Sequence, residues 1–307
     1  MRNAFIETLV ELAEKDEYIY LIVADIGFGL TKPFSEKYPD RFINVGVAEQ
    51  NMIGVATGLA LSGKIVFVYS IANFPTLRCL EQIRNDVCYH DVNVNIVAGS
   101  TGFTYGALGY THHAIEDIAV MRALPNMQVI APSGIVEVKL ATKAIYESSH
   151  PCYLRLGVVD DEVSESSGFQ MGKAITVLDG DDVVLISTGS MLGITMQVAD
   201  KFSEMNIHPM VLNMHTIKPL DIDIIRELSQ SMKLIVTIEE HSIIGGLGSA
   251  VSEILSTIPS HAVLKIMGIK EPCGIYVGDR QELLRRNMLD ADSITGTVYD
   301  SFFQRME

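Results

Sequence analysis

The sequence has few of the features that mark a metal site or a disulfide framework. Four of its 307 residues are cysteine, and they stand far apart, without the C-x-x-C or C-x-x-H spacing of a zinc site: Cys79, Cys88, Cys152 and Cys273. A structural zinc site is therefore not expected, and free thiols fit a reducing compartment. We expect the protein to lie in the cytoplasm.

Long apolar runs and positive charge are scarce as well. No run approaches the roughly 18 apolar residues of a membrane span, and residues 1–17 have the pattern of an amphipathic helix rather than the apolar core of a signal peptide. With 23 basic and 38 acidic residues, the formal net charge is -15, which argues against a nucleic-acid surface and against docking on an anionic membrane. The predicted partners include neither nucleic acid nor a membrane.

What the sequence does contain is an alternation of short, β-branched apolar runs with stretches of helical periodicity. In the first half, strands are predicted at 18–23, 64–69, 92–99, 126–132 and 151–157, and helices at 49–62, 75–89, 115–122 and 134–147. This alternation is typical of a parallel sheet covered by helices on both faces. It predicts an α/β domain over residues 1–160.

A second series follows a polar, acidic and serine-rich stretch that is typical of a linker, which we place at 161–172. Strands and helices alternate again beyond it, with strands at 183–188, 208–214, 233–240 and 262–269 and helices near 191–205 and 221–231, from 247, and near 279–287 and 292–305. The predicted fold class is thus α/β, with two parallel-sheet α/β domains, the second over residues 173–307.

One glycine-rich segment is a candidate for a phosphate-binding loop. GGLG at 245–248 lies between a strand and a helix, but Val251 occupies the last position of the G-x-G-x-x-G pattern, and no acidic residue follows at the expected distance. A tight turn that opens a helix is the better interpretation.

The most informative segment is residues 41–70, in which Glu49 falls in the first turn of an apolar helix. The helix dipole favours a carboxylate there, so a simple N-terminal charge is one interpretation. Gly54 and Gly58, one turn apart, each cost about 1 kcal/mol in a helix interior. Such a helix needs another backbone close by, most simply that of a second copy. We therefore predict homodimerisation through this helix, with Glu49 at the mouth of a buried interface.

The run GVAEQNMIGVATGLALSG resembles the glutamate helix in the pyrimidine-binding domain of the transketolase family. The resemblance implies thiamine diphosphate as the cofactor and a catalytic role for Glu49, whose carboxyl group would hydrogen-bond a ring nitrogen of the aminopyrimidine. That bond favours the imino tautomer, through which the cofactor removes the proton from its own thiazolium carbon.

Two further motifs extend the resemblance. NFPTLRCLEQIRNDV (73–87) is similar to the helix whose aromatic residue stacks on the pyrimidine. Phe74 is the candidate there, with a spacing shifted by one residue and a core phenylalanine as the alternative. GYTHHAIEDIAVMRALPNMQVIAPSG (109–134) matches the family's threonine–histidine loop, in which His112 would contact the donor near its reacting carbon. A buried structural histidine is the alternative.

Two arginines are candidates for a substrate phosphate, because the forked guanidinium binds two oxygens at once. Arg155, in CYLRLG, matches the family's phosphate-binding arginine, and Arg2 stands where another one occurs. For both residues an ion pair within the protein is the alternative.

Two positions that would also face the substrate depart from the family. Ser100 stands where transketolases have a histidine, and Leu108 stands where they have an aspartate that recognises a sugar hydroxyl. Leucine can neither donate nor accept such a bond, so we expect a different donor, acceptor or binding pose.

The second half is similar to the transketolase C-terminal domain and to deoxyxylulose-phosphate synthases, on VLNMHTIKPLD (211–221) and VTIEEHSIIGGLGSAV (236–251). The family's GDG…N motif, which holds the diphosphate through Mg²⁺ in an N-terminal domain, is absent, since LDGDD (178–182) lies between strands of the second domain. We therefore expect a partner subunit that carries the diphosphate-binding domain and Mg²⁺, in an α₂β₂ heterotetramer.

Together these features predict a transketolase-like transferase subunit of carbohydrate metabolism, which moves a two-carbon ketol unit from a ketose donor to an aldose; the substrates are sugars or sugar phosphates. Two alternatives stay open. One is a carboligase that decarboxylates 2-oxo acids, like deoxyxylulose-phosphate synthase or a dehydrogenase beta subunit. The other is a non-catalytic assembly subunit. THH followed by RALPNM, with Glu49 and His112 retained, favours the first prediction.

Overall fold

Two mainly parallel sheets organise the chain in the computed structural model, which describes residues 1–159, 168–270 and 276–303. The strands are β1 (Ile19–Val23), β2 (Phe42–Asn44), β3 (Ile65–Ile71), β4 (Val94–Gly99), β5 (Gln128–Ile130), β6 (Cys152–Leu156), β7 (Ile175–Leu178), β8 (Val183–Ser187), β9 (Pro209–Asn213), β10 (Thr216–Lys218), β11 (Leu234–Ser242) and β12 (Val263–Ile269).

Helices connect and cover these strands. They are α1 (Arg2–Ala13), α2 (Lys32–Lys37), α3 (Glu49–Leu61), α4 (Asn73–Thr76), α5 (Leu80–Gln82), α6 (Asp117–Ala123), α7 (Ile135–Glu147), α8 (Leu192–Glu204), α9 (Ile222–Ser231), α10 (Leu247–Leu255), α11 (Arg280–Arg286) and α12 (Ala291–Phe303), and a π-helical segment, Ile83–Cys88, continues α5. In the ranges that the structure describes, no helix has the length and apolar character needed to cross a membrane.

The predicted fold class is confirmed. The first sheet has the order β10-β5-β6-β4-β3-β1-β2 and the second the order β12-β11-β8-β9-β7, and all neighbours are parallel except β10 with β5 and β7 with β9. Sequence analysis predicts no strand at β7 or β10, which have only four and three residues.

The first sheet draws one strand from the second half of the chain. Strand β10 follows β9 of the second sheet, yet it pairs with β5, and the His215 carbonyl accepts a hydrogen bond from the Ala131 N–H at 2.8 Å. The predicted boundaries at residues 160 and 173 stay a prediction. Residues 161–167 of the predicted linker, and Cys273, lie outside the described residues.

The side chains of the central strands alternate between two hydrophobic cores, one on each face of the first sheet. In β3, Val66 and Val68 face one core while Phe67 and Tyr69 face the other, as the period of two requires for a sheet buried on both sides. Helix α3 packs on the first core and α1 on the second. Because α3 buries only one side, its opposite side is left exposed.

The strand order creates a crevice beside β1. The chain passes from β1 to β2 at the sheet edge and then returns across β1 to β3, so the direction of the connections reverses there. In open parallel sheets, ligands bind outside the carboxyl ends of the strands at such a switch point. Three predicted site residues follow these ends closely: Glu49 after β2, Phe74 after β3 and Ser100 after β4.

The GGLG segment opens α10, which confirms the predicted turn. The N–H groups at the start of α10 bind a carboxylate of this chain rather than a phosphate. Glu239 accepts hydrogen bonds from the N–H groups of Leu247 at 2.7 Å and Gly248 at 2.8 Å. Complete burial raises the pKa of Glu239 to about 7, although these two bonds oppose the rise. A side chain at Gly246 would collide with that carboxylate, so glycine is required there.

Candidate active site

Glu49 lies at the start of α3, where a tight turn brings the chain out of β2. The Asn44 side chain fixes this turn by accepting hydrogen bonds from the N–H groups of Asp25 and Gly46, and Gly46 has a left-handed φ of +75°. Glu49 is only 3% exposed. A carboxylate so deeply buried is costly without a partner, and Arg78 supplies one. Arg78 Nη1 donates to Glu49 Oε2 at 2.7 Å.

Phe74 and His112 lie beside this ion pair. The guanidinium carbon of Arg78 is 4.4 Å from the centroid of the Phe74 ring, and the Phe74 ring meets the His112 ring edge-to-face at 5.5 Å. The predicted helix 75–89 is in fact broken between α4 and α5, and this break carries Arg78. The structure thus brings Glu49, Phe74 and His112 together, as the prediction of a single site requires.

The loop that carries His112 is held against α4. Asn73 Nδ2 donates to the carbonyl oxygens of Thr111 at 3.2 Å and His113 at 2.7 Å. His113 is 1% exposed and its Nε2 lies 3.0 Å from the Gly106 carbonyl, so it is the structural histidine of the pair. His112 is half-buried and faces the site, with its Nδ1 3.0 Å from Thr111 Oγ1.

A cavity of about 450 Å³ lies at the ends of β1 and β3, and Arg2, Gly27, Phe28, Tyr69 and Tyr105 are among the residues that line it. Partial burial acts to lower the pKa of Arg2, but Tyr69 and Tyr105 beside it outweigh this effect, so the pKa is raised. The cavity adjoins the histidine site, because the Tyr105 ring is 6.2 Å from the His112 ring. A permanent cation beside two phenols suits an anionic group of a ligand.

The loop between β4 and His112 also carries the two positions that depart from the family, Ser100 at its start and Leu108 within it. Ser100 is 3% exposed, and its hydroxyl accepts a hydrogen bond from Arg2 Nη1 at 3.4 Å, so it contacts a residue of the cavity wall. Leu108 is 57% exposed and lies in the turn four residues before His112.

Arg155 lies in β6 and pairs inside the protein. It is 3% exposed, its Nε donates to Asp117 Oδ2 at 2.8 Å, and its Nη2 donates to the carbonyls of Ala114 and Glu240. Burial acts to raise the pKa of Asp117, but Arg155 holds it below its usual value. This geometry fits the alternative, a buried ion pair at the junction with the second sheet. The predicted contact of Arg155 with a substrate phosphate stays a prediction.

Glu240 of β11 is hydrogen-bonded to the loop between Ser100 and His112. Its Oε1 accepts from the Phe103 N–H at 2.7 Å, and its Oε2 accepts from Ser190 Oγ and Arg280 Nη2, each at 2.7 Å. Burial acts to raise the pKa of Glu240, but the Arg280 guanidinium holds it below its usual value. The second half of the chain therefore positions the loop between Ser100 and His112.

Sequence reasoning missed several residues of this site. Arg78 and Asn73 lie within the motif at 73–87, and the spacing of four between Phe74 and Arg78 is a signal that could have revealed the contact. Glu240 has no local signal, because its partners are 40 or more residues away along the chain. Across the residues described, no group of three or more His, Cys, Asp or Glu side chains is arranged to hold a metal ion.

Comparison with known proteins gives matches over nearly the whole chain. Residues 1–158 match the pyrimidine-binding domain of transketolase, and residues 172–294 match the transketolase C-terminal domain. A putative transketolase C-terminal section from Methanocaldococcus jannaschii is 41% identical over 98% of this chain and 95% of its own length. One subunit of an apulose-4-phosphate transketolase from Phocaeicola vulgatus is 37% identical over 97% of this chain and 96% of its own length. A solved structure described as a split gene transketolase, inactive beta4 tetramer, superimposes with a TM-score of 0.88 at 35% identity, covering 99% of this chain and 98% of that one.

Proposed function

The chain belongs to the transketolase family, and on this basis we propose that it is the cofactor-activating subunit of a two-subunit, thiamine diphosphate-dependent transketolase. The observation that carries the proposal is the buried carboxylate of Glu49 at the switch point, with Phe74 and His112 beside it. A buried acid, an aromatic face and a half-exposed histidine are the groups that this chemistry needs.

The residues present fit the pyrimidine end of the cofactor. When bound, thiamine diphosphate supplies an electron sink for the breaking and making of carbon–carbon bonds. Glu49 would hold a ring nitrogen of the aminopyrimidine by a hydrogen bond, and Phe74 would offer its face to the ring. His112, on a loop fixed by Asn73, would hold an oxygen of the donor sugar.

We assign the diphosphate and Mg²⁺ to a partner subunit, in an α₂β₂ assembly. One relative that aligns over nearly its whole length is named a C-terminal section, and another is named as a single subunit of its transketolase, which supports a separate N-terminal subunit. Within this assembly, Arg2 and Ser100 are the best candidates to receive the phosphate of a sugar substrate, because the Arg2 cation faces a cavity. The exposed Leu108 would meet the sugar as an apolar contact and change its specificity.

The proposal is tested by titrating thiamine diphosphate and Mg²⁺ into this chain, into the co-purified N-terminal subunit and into their mixture. Calorimetry should show saturable binding in the mixture and none with either subunit alone. Binding by this chain alone, as tight as in the mixture, would contradict the assignment of the diphosphate to the partner. Ketol transfer between sugar phosphates without release of carbon dioxide from pyruvate would separate this function from that of a decarboxylating carboligase.

We also propose that two copies of this chain associate through α3 in this assembly. The exposed side of α3 presents Gly54, Gly58 and Leu61, the last being 61% exposed, and a Cβ at either glycine would meet nothing within 4 Å beyond its chain neighbours and the helix's own backbone. The solved relative described as a beta4 tetramer supports association between copies. Two α3 helices would pack closely where the glycines lack side chains.

Gly58→Leu should therefore leave the subunit folded but prevent it from pairing. We expect a monomer by analytical ultracentrifugation, with a circular dichroism spectrum like that of the unchanged protein. Gly296→Leu is the matched control, because Gly296 also lies on an exposed helix side with no atom within 4 Å of a Cβ. A Gly58→Leu protein that still forms dimers would place the interface elsewhere.

A further inference from the structure

We propose that, in the unloaded subunit, the Arg78 guanidinium occupies the position of the aminopyrimidine ring. Arg78 must then leave this position when the cofactor enters. The inference rests on the proposed function, which assigns two contacts to that ring: a hydrogen bond to Glu49 and a stack on Phe74. Arg78 makes both of these contacts itself, at 2.7 Å from Nη1 to the carboxylate and 4.4 Å from the guanidinium carbon to the ring centroid.

The chemical likeness is close. A guanidinium group, like a protonated aminopyrimidine, is planar, carries N–H donors in its plane and presents a π face to an aromatic ring. A carboxylate on one side and an aromatic ring below therefore suit both groups. Glu49 and Phe74 lie on α3 and α4, so a planar group that pairs with Glu49 and stacks on Phe74 would take the position that Arg78 holds.

Arg78 is the exposed member of its ion pair with Glu49. Its side chain is 46% exposed, whereas that of Glu49 is 4% exposed, so Arg78 closes the mouth of the site from the solvent side. Its backbone is anchored, because its carbonyl accepts a hydrogen bond from Gln50 Nε2 at 3.1 Å. The long side chain can thus swing into water while the backbone between α4 and α5 stays in place.

This arrangement has two consequences. Before assembly, Arg78 compensates the buried charge of Glu49, which would otherwise destabilise the subunit. On loading, the cofactor must compete with Arg78, and its apparent affinity is reduced by the fraction of molecules in which the site is closed. Arg78 therefore keeps the subunit intact before assembly at some cost in cofactor affinity.

The test compares Arg78→Met with Arg84→Met, a change of the same type at an exposed arginine that contacts Asn85 instead. Calorimetric titration of the assembled pair with thiamine diphosphate and Mg²⁺ should show about 3- to 10-fold tighter binding for Arg78→Met, because the competing ion pair is gone. Arg78→Lys keeps the charge but loses the planar stack, and its affinity should lie between those of the unchanged protein and Arg78→Met. Arg84→Met should bind like the unchanged protein.

Thermal unfolding of the isolated subunit gives an independent readout. Arg78→Met should lower the midpoint, since Glu49 loses its partner, but should cause no further loss when Glu49→Gln is already present. Weaker or unchanged cofactor binding by Arg78→Met would overturn the proposal, because Arg78 would then remain beside the bound ring or play no part. If the unchanged pair binds no cofactor at all, the proposed function fails and this inference with it.

Discussion

Glu49→Gln will lower kcat of the assembled pair by about 10²–10⁴-fold, the usual scale for removing one acid–base participant. Glutamine has nearly the same shape as glutamate and can still hydrogen-bond a ring nitrogen, but it cannot exchange a proton with it. The measurement is kcat with saturating cofactor and sugar substrates, so that any weakening of binding is separated from the loss of chemistry.

The design of this experiment depends on the burial of Glu49. Because the amide would remain at the start of α3 without a net charge, the subunit should still fold, and circular dichroism will check this. Glu36→Gln is the matched control, since Glu36 lies on a helix at an exposed position and pairs with Lys32 in a surface ion pair. Full activity of Glu49→Gln would leave the proposed function without its mechanism.

Glu240→Gln will lower the free energy of unfolding by about 3–5 kcal/mol, the usual cost of breaking a buried ion pair by removing one partner. Glutamine has one acceptor oxygen where the carboxylate has two, so it cannot accept from both the Phe103 N–H and Ser190 Oγ, and it removes the negative charge that faces the largely buried Arg280. Urea denaturation measures this loss. The loop between Ser100 and His112 should loosen as well, with a lower kcat.

The pH dependence of that loss has a definite sign. The pKa of Glu240 is lower in the folded chain than the usual 4.5, so the unfolded chain binds more protons in the acid range. The stabilisation by Glu240 is therefore complete above about pH 4.5 and is lost as the pH falls through the folded pKa. The difference between the unchanged protein and Glu240→Gln should shrink below about pH 4.5.

Glu253→Gln is the control for this prediction. Glu253 also joins the two halves of the chain, through Arg122, but its side chain is 64% exposed. Such pairs contribute about 0–1 kcal/mol, because water screens the charges and competes for them. If both variants lost the same small amount, the network around Glu240 would not hold the halves together.

Much of the fold could be predicted because its signals are local. The strand from Ile65 to Ile71 is a β-branched run, and the helix from Glu49 to Leu61 is apolar and begins with a carboxylate, so each is visible in a short window. The short strand β10 was missed for the opposite reason. Its three residues make sense only beside β5, more than 80 residues away along the chain.

The candidate site divides in the same way. The placement of Glu49, Phe74 and His112 around one crevice follows from motifs and from the rule that parallel strands end at one edge. The role of Arg155 does not follow from its motif, because that motif is equally compatible with a phosphate ligand and with an ion pair. Only the folded chain shows Asp117 at 2.8 Å from its Nε, in a place that water does not reach.

The sequence by itself determined the family, the α/β class and the position of Glu49 at the start of an apolar helix, since periodicity and motif order are properties of neighbouring residues. The tertiary structure decided which charges meet: Arg78 with Glu49, Arg155 with Asp117, and Arg280 with Glu240. The physical reason is that a buried charge takes its partner from whatever the fold places within about 3–4 Å, and that distance bears no relation to separation along the chain.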